Sequence, residues 1–387
     1  MPPKEERMKL TISKNELNDA IQQVAKAASV RPAIPILGGI KIDVTHQGVT
    51  LTASDTDISI QSFIPAETDE LVVAKVDKPG SVVMPAKFFV EIIRKLPAEE
   101  VQIEVGEHYQ TLIRSGSTDI QMVGLDPEEF PVLPSVEEDE VLQLPGDLLK
   151  AMVRQTVFCA STSEQTPVLT GVLWNLIEGQ LKFVATDRHR LASRLAQVET
   201  PDSYKLTNIV IAAKTMVELS KLVPDGSGLV DIVVASNQVL FRLGHTLFYS
   251  RMLDGTYPDT SKIIPQSFKT ELVLETRKLI DAMERAYLMS REEKTNIVRL
   301  VTLDNGNIEI SSSSQELGRV TEQLEVIRQN GEPLRIAFNS KYMLDTLKVI
   351  DSEQLIISFT GAMSPIIIRP ADHDNSQYII LPYRTTN

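Results

Sequence analysis

Two short acidic motifs are the places where this sequence could carry catalytic chemistry. Asp55 and Asp57 form an Asp-x-Asp pair, a spacing found in some metal-dependent nucleotidyl and glycosyl transferases. Aspartate carboxylates also accept hydrogen bonds from nearby backbone N–H groups, which makes such pairs common in turns. We favour the turn. A metal-dependent transferase stays as an alternative, and loss of activity with a chelator would support it.

Asp187 and His189 form the second motif, and a carboxylate beside a histidine can serve acid–base catalysis. His189 is flanked by Arg188 and Arg190, however, and no nucleophile lies nearby in the sequence. A histidine in the wall of a binding pocket or on the surface is the better interpretation.

No larger catalytic or metal-binding pattern accompanies these pairs. Cys159 is the only cysteine, which excludes an internal disulfide and a metal site built from cysteines, and which suits a reducing cytoplasm. No two of the five histidines are spaced as metal ligands, and the zinc-protease, Walker A and serine-hydrolase motifs are absent. We therefore expect no catalytic residues, no metal and no cofactor.

The length and charge of the chain set wider bounds. Its 387 residues are enough for two or three domains. The net charge of −13, taken alone, argues against contact with DNA, but a total charge does not show where the charges lie. No apolar run approaches the roughly 20 residues that span a bilayer. The residues before Met8 contain no secretory signal, and we expect the fold to begin at Met8.

The predicted secondary-structure elements recur three times along the chain. Apolar residues with helical spacing predict an amphipathic helix from Lys14 to Ser29. Its Leu-x-x-Ala-apolar pattern recurs twice, at an interval of 131 residues, which indicates a repeated unit. The repeated positions are Leu17, Ala20 and Ile21; Leu148, Ala151 and Met152; and Leu279, Ala282 and Met283.

A second helix recurs at an interval of 127 residues and opens with Lys87, Lys214 and Lys341. Each lysine is followed by apolar residues at +2 and +3, an acid at +4 and a base at +7. Residues seven apart share one helical face, so each helix carries a basic stripe, with an acid between the bases that can pair with them. The acids are Glu91, Glu218 and Asp345, and the bases are Arg94, Lys221 and Lys348.

Runs rich in β-branched residues lie between the helices and predict antiparallel strands, as in 48–54 and 181–186. Each unit is therefore α+β, with two helices packed on sheet. Proline stiffens the connectors at Phe130-Pro131 and Tyr257-Pro258. We expect three domains, at residues 8–134, 135–263 and 264–387.

A repeated array without polar caps leaves pairing surfaces at both ends. Closure with a second copy satisfies both ends through a two-fold axis, with the first unit of one chain against the third of the other. The basic stripes would then recur six times around a common axis and neutralise phosphates without reading bases. A repeat-built scaffold that binds no DNA is a further alternative.

Seven segments carry a further signal through their order and spacing, and they occupy residues 31–42, 51–60, 157–172, 184–192, 250–265, 359–370 and 378–384. Together they closely resemble the bacterial sliding clamps, the beta subunits of the replicative DNA polymerase, and the resemblance covers Met8 to Arg384. The resemblance implies a head-to-tail homodimer of three-domain subunits that closes into a six-domain ring around duplex DNA. It also implies that a clamp loader opens the ring with ATP, and that polymerase and repair proteins bind through short peptides.

The resemblance and the basic stripes together assign three sets of residues. Contacts to DNA are expected from Arg31, Lys87, Lys214, Lys221 and Lys341. The dimer is expected to join Leu288 and Met289 of one chain to Ile120 and Met122 of the other. The resemblance places a partner-peptide pocket between the second and third domains, lined by Leu169, Thr186, His189, Arg190, Leu191, Pro258, Lys262, Ile263, Met363, Pro365, Ile379, Leu381, Pro382, Tyr383 and Arg384.

Two residues depart from the family's pattern at the rim of this pocket. Arg188 stands where many members have a small residue, and Pro365 stands where a serine can occur. Either residue can reshape the rim. The last three residues, 385–387, follow the pocket wall and are expected to form a free tail.

Overall fold

A computed structural model describes residues 7–29, 31–68, 71–133, 140–201, 203–226, 228–265, 267–292 and 296–384. The expected domain boundary at 134/135, the expected tail at 385–387 and all but Arg7 of the segment before Met8 lie outside these ranges. Six α-helices occur in the described part of the chain: α1 (Lys14–Val24), α2 (Ala86–Lys95), α3 (Gly146–Thr156), α4 (Ala213–Leu222), α5 (Thr276–Ser290) and α6 (Ser340–Leu347).

The first helix is shorter than the predicted span from Lys14 to Ser29. It ends at Val24, a 3-10 turn follows over Ala25–Ala27, and Ala28 takes an extended backbone that ends the helical hydrogen bonding. In the second helix class the residues two after each lysine are all buried, as the repeat of 127 residues predicts. These residues are Phe89, Met216 and Met343.

The expected even interval of 131 residues in the first helix class is wrong. Leu17 is buried in α1, and the residues buried at the matching helical positions are Leu149 in α3 and Leu279 in α5. Leu148, which the pattern had matched to Leu17, is only half-buried. The intervals are 132 and 130 residues. Adjacent leucines offered two registers, and only the packing of the helix on the sheet selects between them.

The first compact unit falls within Met1–Gly146 and Lys221–Met252. Its strands are β1 (Met8–Ser13), β2 (Gly39–Thr45), β3 (Gly48–Ser54), β4 (Ile58–Pro65), β5 (Glu67–Thr68), β6 (Leu71–Val72), β7 (Ala74–Lys78), β8 (Gly80–Pro85), β9 (Glu100–Val105), β10 (Gln110–Ser115), β11 (Thr118–Val123), β12 (Leu142–Pro145), β17 (Leu229–Val234), β18 (Gln238–Leu243) and β19 (Thr246–Arg251).

Two main antiparallel sheets form this unit. The larger has the order β12-β17-β18-β19-β4-β3-β2-β8, and the smaller has the order β11-β10-β9-β1-β7, with β11 at its edge. Helix α1 packs on β3 and β4. The pairing of β19 with β4 sets Phe248 opposite Ile60 and joins two parts of the chain that are distant in sequence.

The second compact unit falls within Asp147–Ser220 and Leu253–Asn387. Its strands are β13 (Gly171–Ile177), β14 (Gln180–Thr186), β15 (Arg190–Gln197), β16 (Leu206–Ala212), β20 (Thr270–Glu275), β21 (Ile297–Thr302), β22 (Asn307–Ser314), β23 (Gly318–Glu325), β24 (Arg328–Gly331), β25 (Arg335–Asn339), β26 (Gln354–Phe359), β27 (Ile366–Pro370) and β28 (Ser376–Ile380).

This unit repeats the arrangement of the first. One sheet has the order β16-β13-β14-β15-β28-β27-β26-β20-β24, and the other has the order β23-β22-β21-β25, with β23 at its edge. Helix α5 packs on β22 and β23 and against α6. The pairing of β15 with β28 sets Leu191 opposite Ile379, and this junction carries the candidate site.

The proline-containing connectors are anchored by their aromatic residues. Phe130 is buried against Ile36, Leu37 and Val83, and Tyr257 is buried in a cluster that includes Leu169. Burial of the ring before each proline fixes that part of the connector against the core.

Candidate functional site

A tight turn between β14 and β15 builds the polar side of the site. The carboxylate of Asp187 accepts the backbone N–H groups of His189 at 2.9 Å and Arg190 at 3.0 Å. The Thr186 hydroxyl donates to the carbonyl of Arg190 at 2.7 Å. These bonds explain the Asp187 and His189 motif as turn chemistry, in which the aspartate is a backbone acceptor.

Arg188 lies at the outer corner of this turn with a φ of 76°, in the left-handed region that favours glycine. The Arg188 guanidinium also donates to the Thr166 hydroxyl at 2.6 Å, so the side chain is laid across the rim of the site.

Arg190 links the turn to helix α6. Its side chain is 11% exposed and donates to Asp187 at 3.0 Å and to Asp345 at 2.7 Å. The guanidinium lies 4.5 Å from the centroid of the Tyr342 ring, and the ring of His189 lies 6.4 Å from the same ring. We call the Arg190–Asp345 pair with the Tyr342 ring the clasp. Sequence reasoning named Arg190 and His189 but missed Tyr342 as a site residue.

An apolar patch lies beside the turn. Leu169, Leu191 and Ile379 are buried in one cluster with Tyr257 and Ile367. The Thr186 N–H donates to the Tyr257 hydroxyl at 3.0 Å, and burial raises the pKa of that phenol, so it is neutral at physiological pH. The sheet and the 3-10 turn before β13, which contains Leu169, therefore bring together four of the expected pocket residues: Leu169, Thr186, Leu191 and Ile379.

The chain end runs along the same turn. The Leu381 N–H donates to the carbonyl of His189 at 2.9 Å, and the Tyr383 N–H donates to the carbonyl of Ala337 at 2.7 Å. Leu381 and Tyr383 are exposed, Pro382 is half-buried and Arg384 is exposed. Two backbone bonds thus hold an exposed apolar segment next to the patch.

The remaining expected pocket residues lie on two connections. Pro258 is exposed, and Lys262 and Ile263 are exposed on a 3-10 turn. Met363 is exposed and Pro365 is half-buried between β26 and β27. Pro258 also borders a cavity of about 600 Å³ on the face of β13 and β14, lined by Leu173, Val184 and Tyr257 among others, which the sequence did not indicate.

The expected DNA-binding residues are all exposed. Lys87, Lys214 and Lys341 lie in the first turns of α2, α4 and α6, Lys221 lies in the last turn of α4, and Arg31 lies in the loop after α1. The interleaved acids do pair with bases. Asp345 bonds to Lys341 at 3.1 Å, and Glu91 bonds to Arg94 at 2.6 Å.

The expected dimer residues lie on β11, at the edge of the smaller sheet of the first unit, and on α5, which packs on the smaller sheet of the second unit. Ile120 and Met122 are half-buried on the edge strand β11. Leu288, near the end of α5, is 48% exposed, and Met289 is half-buried. Beside β11 a groove of about 340 Å³ is lined by Ile92, Leu96 and Ile120, among other residues.

The geometry at Asp55 does not support catalysis. Its carboxylate accepts hydrogen bonds from the N–H groups of Asp57 and Ile58, both at 2.7 Å, as the aspartate of a turn does. Within the described ranges, no group of three or more His, Cys, Asp or Glu residues could hold a metal ion. In the same part of the chain, no helix is long and apolar enough to cross a membrane.

Three family models match the chain in succession: the N-terminal domain of the DNA polymerase III beta subunit at residues 8–134, the central domain at 143–259 and the C-terminal domain at 261–384. These matches confirm the threefold α+β organisation and give no support to a transferase or to a scaffold of another kind.

Known proteins match this chain over almost its whole length and over the whole of their own. The beta sliding clamp of Bacillus subtilis strain 168 is 47% identical over 98% of this chain and 100% of that relative, and the one of Halalkalibacterium halodurans is 46% identical with the same coverage. The crystal structure of the DNA polymerase sliding clamp from Bacillus subtilis matches with a TM-score of 0.96, 47% identity and coverage of 98% and 100%. The chain therefore belongs to the family of the DNA polymerase III beta subunit, the bacterial sliding clamps.

Proposed function

We propose that two copies of this chain close head to tail around duplex DNA, where they act as a non-catalytic processivity subunit that tethers the DNA polymerase. The observation that carries the proposal is a pair of sheet edges, β11 and β23, that no strand within the described ranges covers. Strands β4, β15 and β23 occupy the same position in the three repeats, and so do β11, β19 and β28. Within the chain β4 pairs with β19 and β15 pairs with β28, which leaves β23 and β11 for a second copy.

The polar contacts beside these strands support the equivalence. At each of the three positions, one side chain from the first helix of the repeat meets one side chain from the strand. The pairs are Gln23 with Ser62, Gln155 with Arg194 and Arg285 with Glu322, with hydrogen bonds of 3.3, 2.7 and 2.8 Å.

The two junctions also predict the register of the third. Thr246 lies opposite Ser62, and Ser376 lies opposite Arg194. The equivalent residues are Thr118 and Glu322, so Ile120 should lie opposite the partner's Val320. Both side chains then face the helices, where the groove lined by Ile92 and Leu96 can receive the partner's Leu288. A two-fold axis repeats this contact at the other end of the chain.

Contact with DNA would come from Arg31, Lys87, Lys214, Lys221 and Lys341. The lysines and Arg31 are exposed and suit phosphates. The acids among them keep each contact weak, which is what a ring that slides requires. A dimer would present each of these groups twice.

Partner proteins would dock at the β15–β28 junction, through a short peptide against the patch of Leu169, Leu191 and Ile379. Apolar walls with a few polar groups suit a peptide that buries one or two anchors. The polymerase is the partner that the family's role requires. A clamp loader and repair proteins that use similar peptides are further expected partners, and all of them act in the cytoplasm.

The domains of this clamp are taken as residues 8–134, 135–263 and 264–387. Each of these spans supplies two of the six α-helices found in the described residues.

The direct test of the dimer is the mass of the purified chain by analytical ultracentrifugation. At micromolar concentration we expect a species of twice 43.0 kDa. A species of 43.0 kDa that persists up to tens of micromolar, a range in which a ring-forming clamp must associate, would exclude the proposed closure.

A further inference from the structure

We propose that Phe88 of one protomer packs against the partner's Leu317 at the subunit junction, in the place that the contact between His189 and Tyr342 occupies within the chain. This inference rests on the proposed closed dimer and names a contact beyond the four interface residues expected from the sequence. Its partner is a second copy of this chain, and its chemistry is apolar.

The equivalence of positions comes first. Phe88 follows Lys87 in α2 as Tyr342 follows Lys341 in α6, so these two aromatic residues hold the same position in the first and third repeats. Leu317 precedes β23 as His189 precedes β15. The contact between His189 and Tyr342, with ring centroids 6.4 Å apart, is therefore the within-chain equivalent of a contact between Leu317 and Phe88.

The exposure of the two side chains is the second, independent observation. Phe88 is 59% exposed and Leu317 is 57% exposed, although both are large and apolar. The Lys87 ammonium lies 5.7 Å from the Phe88 ring and leaves most of it uncovered. Tyr342, at the equivalent position, is half-buried by the turn that precedes β15. A partner's turn at residues 315–317 would cover Phe88 in the same way.

The charged pair of the clasp has no counterpart at the proposed subunit junction. Gly318 stands where Arg190 stands in the second repeat, and Glu91, which stands where Asp345 does, bonds instead to Arg94 within its own helix at 2.6 Å. No guanidinium can reach across from Gly318. The ionic pair of the clasp therefore has no equivalent at the subunit junction, and the glycine leaves room for the Phe88 ring.

Cross-linking of two introduced cysteines tests the contact in the full-length chain. Phe88→Cys with Leu317→Cys, treated with a short bis-maleimide, should give covalent dimers at least tenfold more than either single variant. Cys159 can stay in place, because it is fully buried and burial raises the pKa of its thiol. Phe88→Cys with Ile177→Cys is the matched control, since Ile177 is also apolar and exposed but belongs to no junction.

A second measurement separates contact from simple proximity. Phe88→Asp should raise the dissociation constant of the dimer at least tenfold, and adding Leu317→Lys should recover part of the loss, since the two charges would then face each other. Both residues are exposed in the single chain, so neither variant should disturb its fold.

The outcomes are distinct. A wild-type dimer that gives no cross-link above the single variants, and that tolerates Phe88→Asp, would overturn this inference and leave the proposed clamp intact. A wild-type chain that is monomeric throughout would overturn both. Specific cross-linking with rescue by the charge pair would establish the contact.

Discussion

Phe158, just beyond the end of α3, packs against Tyr378 on β28, and the two ring centroids are 6.1 Å apart. Burial raises the pKa of Tyr378 to about 12, so this contact is between uncharged rings at physiological pH. In the third and first repeats the same two positions are held by Leu288 and Ile120. The expected contact between subunits is therefore the counterpart of one that already exists within the chain.

The first prediction follows from this pair. Leu288→Ala with Met289→Ala should give a folded monomer, because truncation of a Leu or Met that the dimer buries costs about 2–5 kcal/mol and the dimer suffers each loss twice. Sedimentation velocity measures the mass, and circular dichroism checks the fold. Leu229→Ala, at an exposed leucine on β17, is the control and should stay dimeric. A double variant that still sediments as a dimer at low micromolar concentration would show that this interface is wrong.

The second prediction concerns the basic helices. Lys87→Glu, Lys214→Glu and Lys341→Glu together should weaken clamp loading and processive synthesis while the dimer mass stays the same, since each phosphate contact contributes about 0.9 to the salt slope on B-DNA. Loading is measured on nicked plasmid at several salt concentrations. The control reverses Lys75, Lys205 and Lys269, three exposed lysines outside the helices. Equal loading of the two triple variants at moderate salt would contradict the assignment.

The third prediction concerns the chain end. Deletion of Leu381–Asn387 should abolish binding of a fluorescent Gln-Leu-x-Leu-Phe-type peptide, because it removes the exposed segment that Leu381 and Tyr383 hold beside the patch. The intact chain should bind this peptide in the micromolar range, about −8 kcal/mol. Deletion of 385–387 alone is the control and should change little. Undiminished affinity after the longer deletion would move the docking site elsewhere.

The fourth prediction concerns the clasp. Asp345→Asn should lower the free energy of unfolding by about 1–3 kcal/mol, because the mostly buried Arg190 loses a charged hydrogen-bond partner. Asp281→Asn is the control. It removes an exposed pair with Arg277 at 3.0 Å, and such pairs contribute about 0–1 kcal/mol. Urea denaturation compares the two. Equal stability of both variants would mean that the clasp does not hold the turn to α6.

Much of the fold was accessible from the sequence because it rests on periodic patterns. The helices with Lys87, Lys214 and Lys341 could be placed by their buried neighbours at +2, and β-branched runs marked the strands. The register of α3 could not be predicted, because Leu148 and Leu149 both satisfy the pattern and only packing of the helix on its sheet selects between them.

The site was accessible only in part. The apolar residues of the patch lie in recognisable segments, and the resemblance to a family marked them. The clasp was not accessible, because Arg190 and Asp345 are 155 residues apart and nothing local distinguishes an aspartate that pairs with a lysine from one that also holds an arginine. Tyr342 does have a sequence signal, since it follows Lys341 as Phe88 follows Lys87.

Retention on circular DNA tests the central claim most directly. The chain is loaded with clamp loader and ATP onto nicked circular plasmid, and gel filtration at moderate salt measures the protein that stays with the DNA. A closed ring held by topology should remain on the circle and leave once a restriction enzyme makes the plasmid linear. Equal retention on circular and linear plasmid, or none on either, would contradict the clamp.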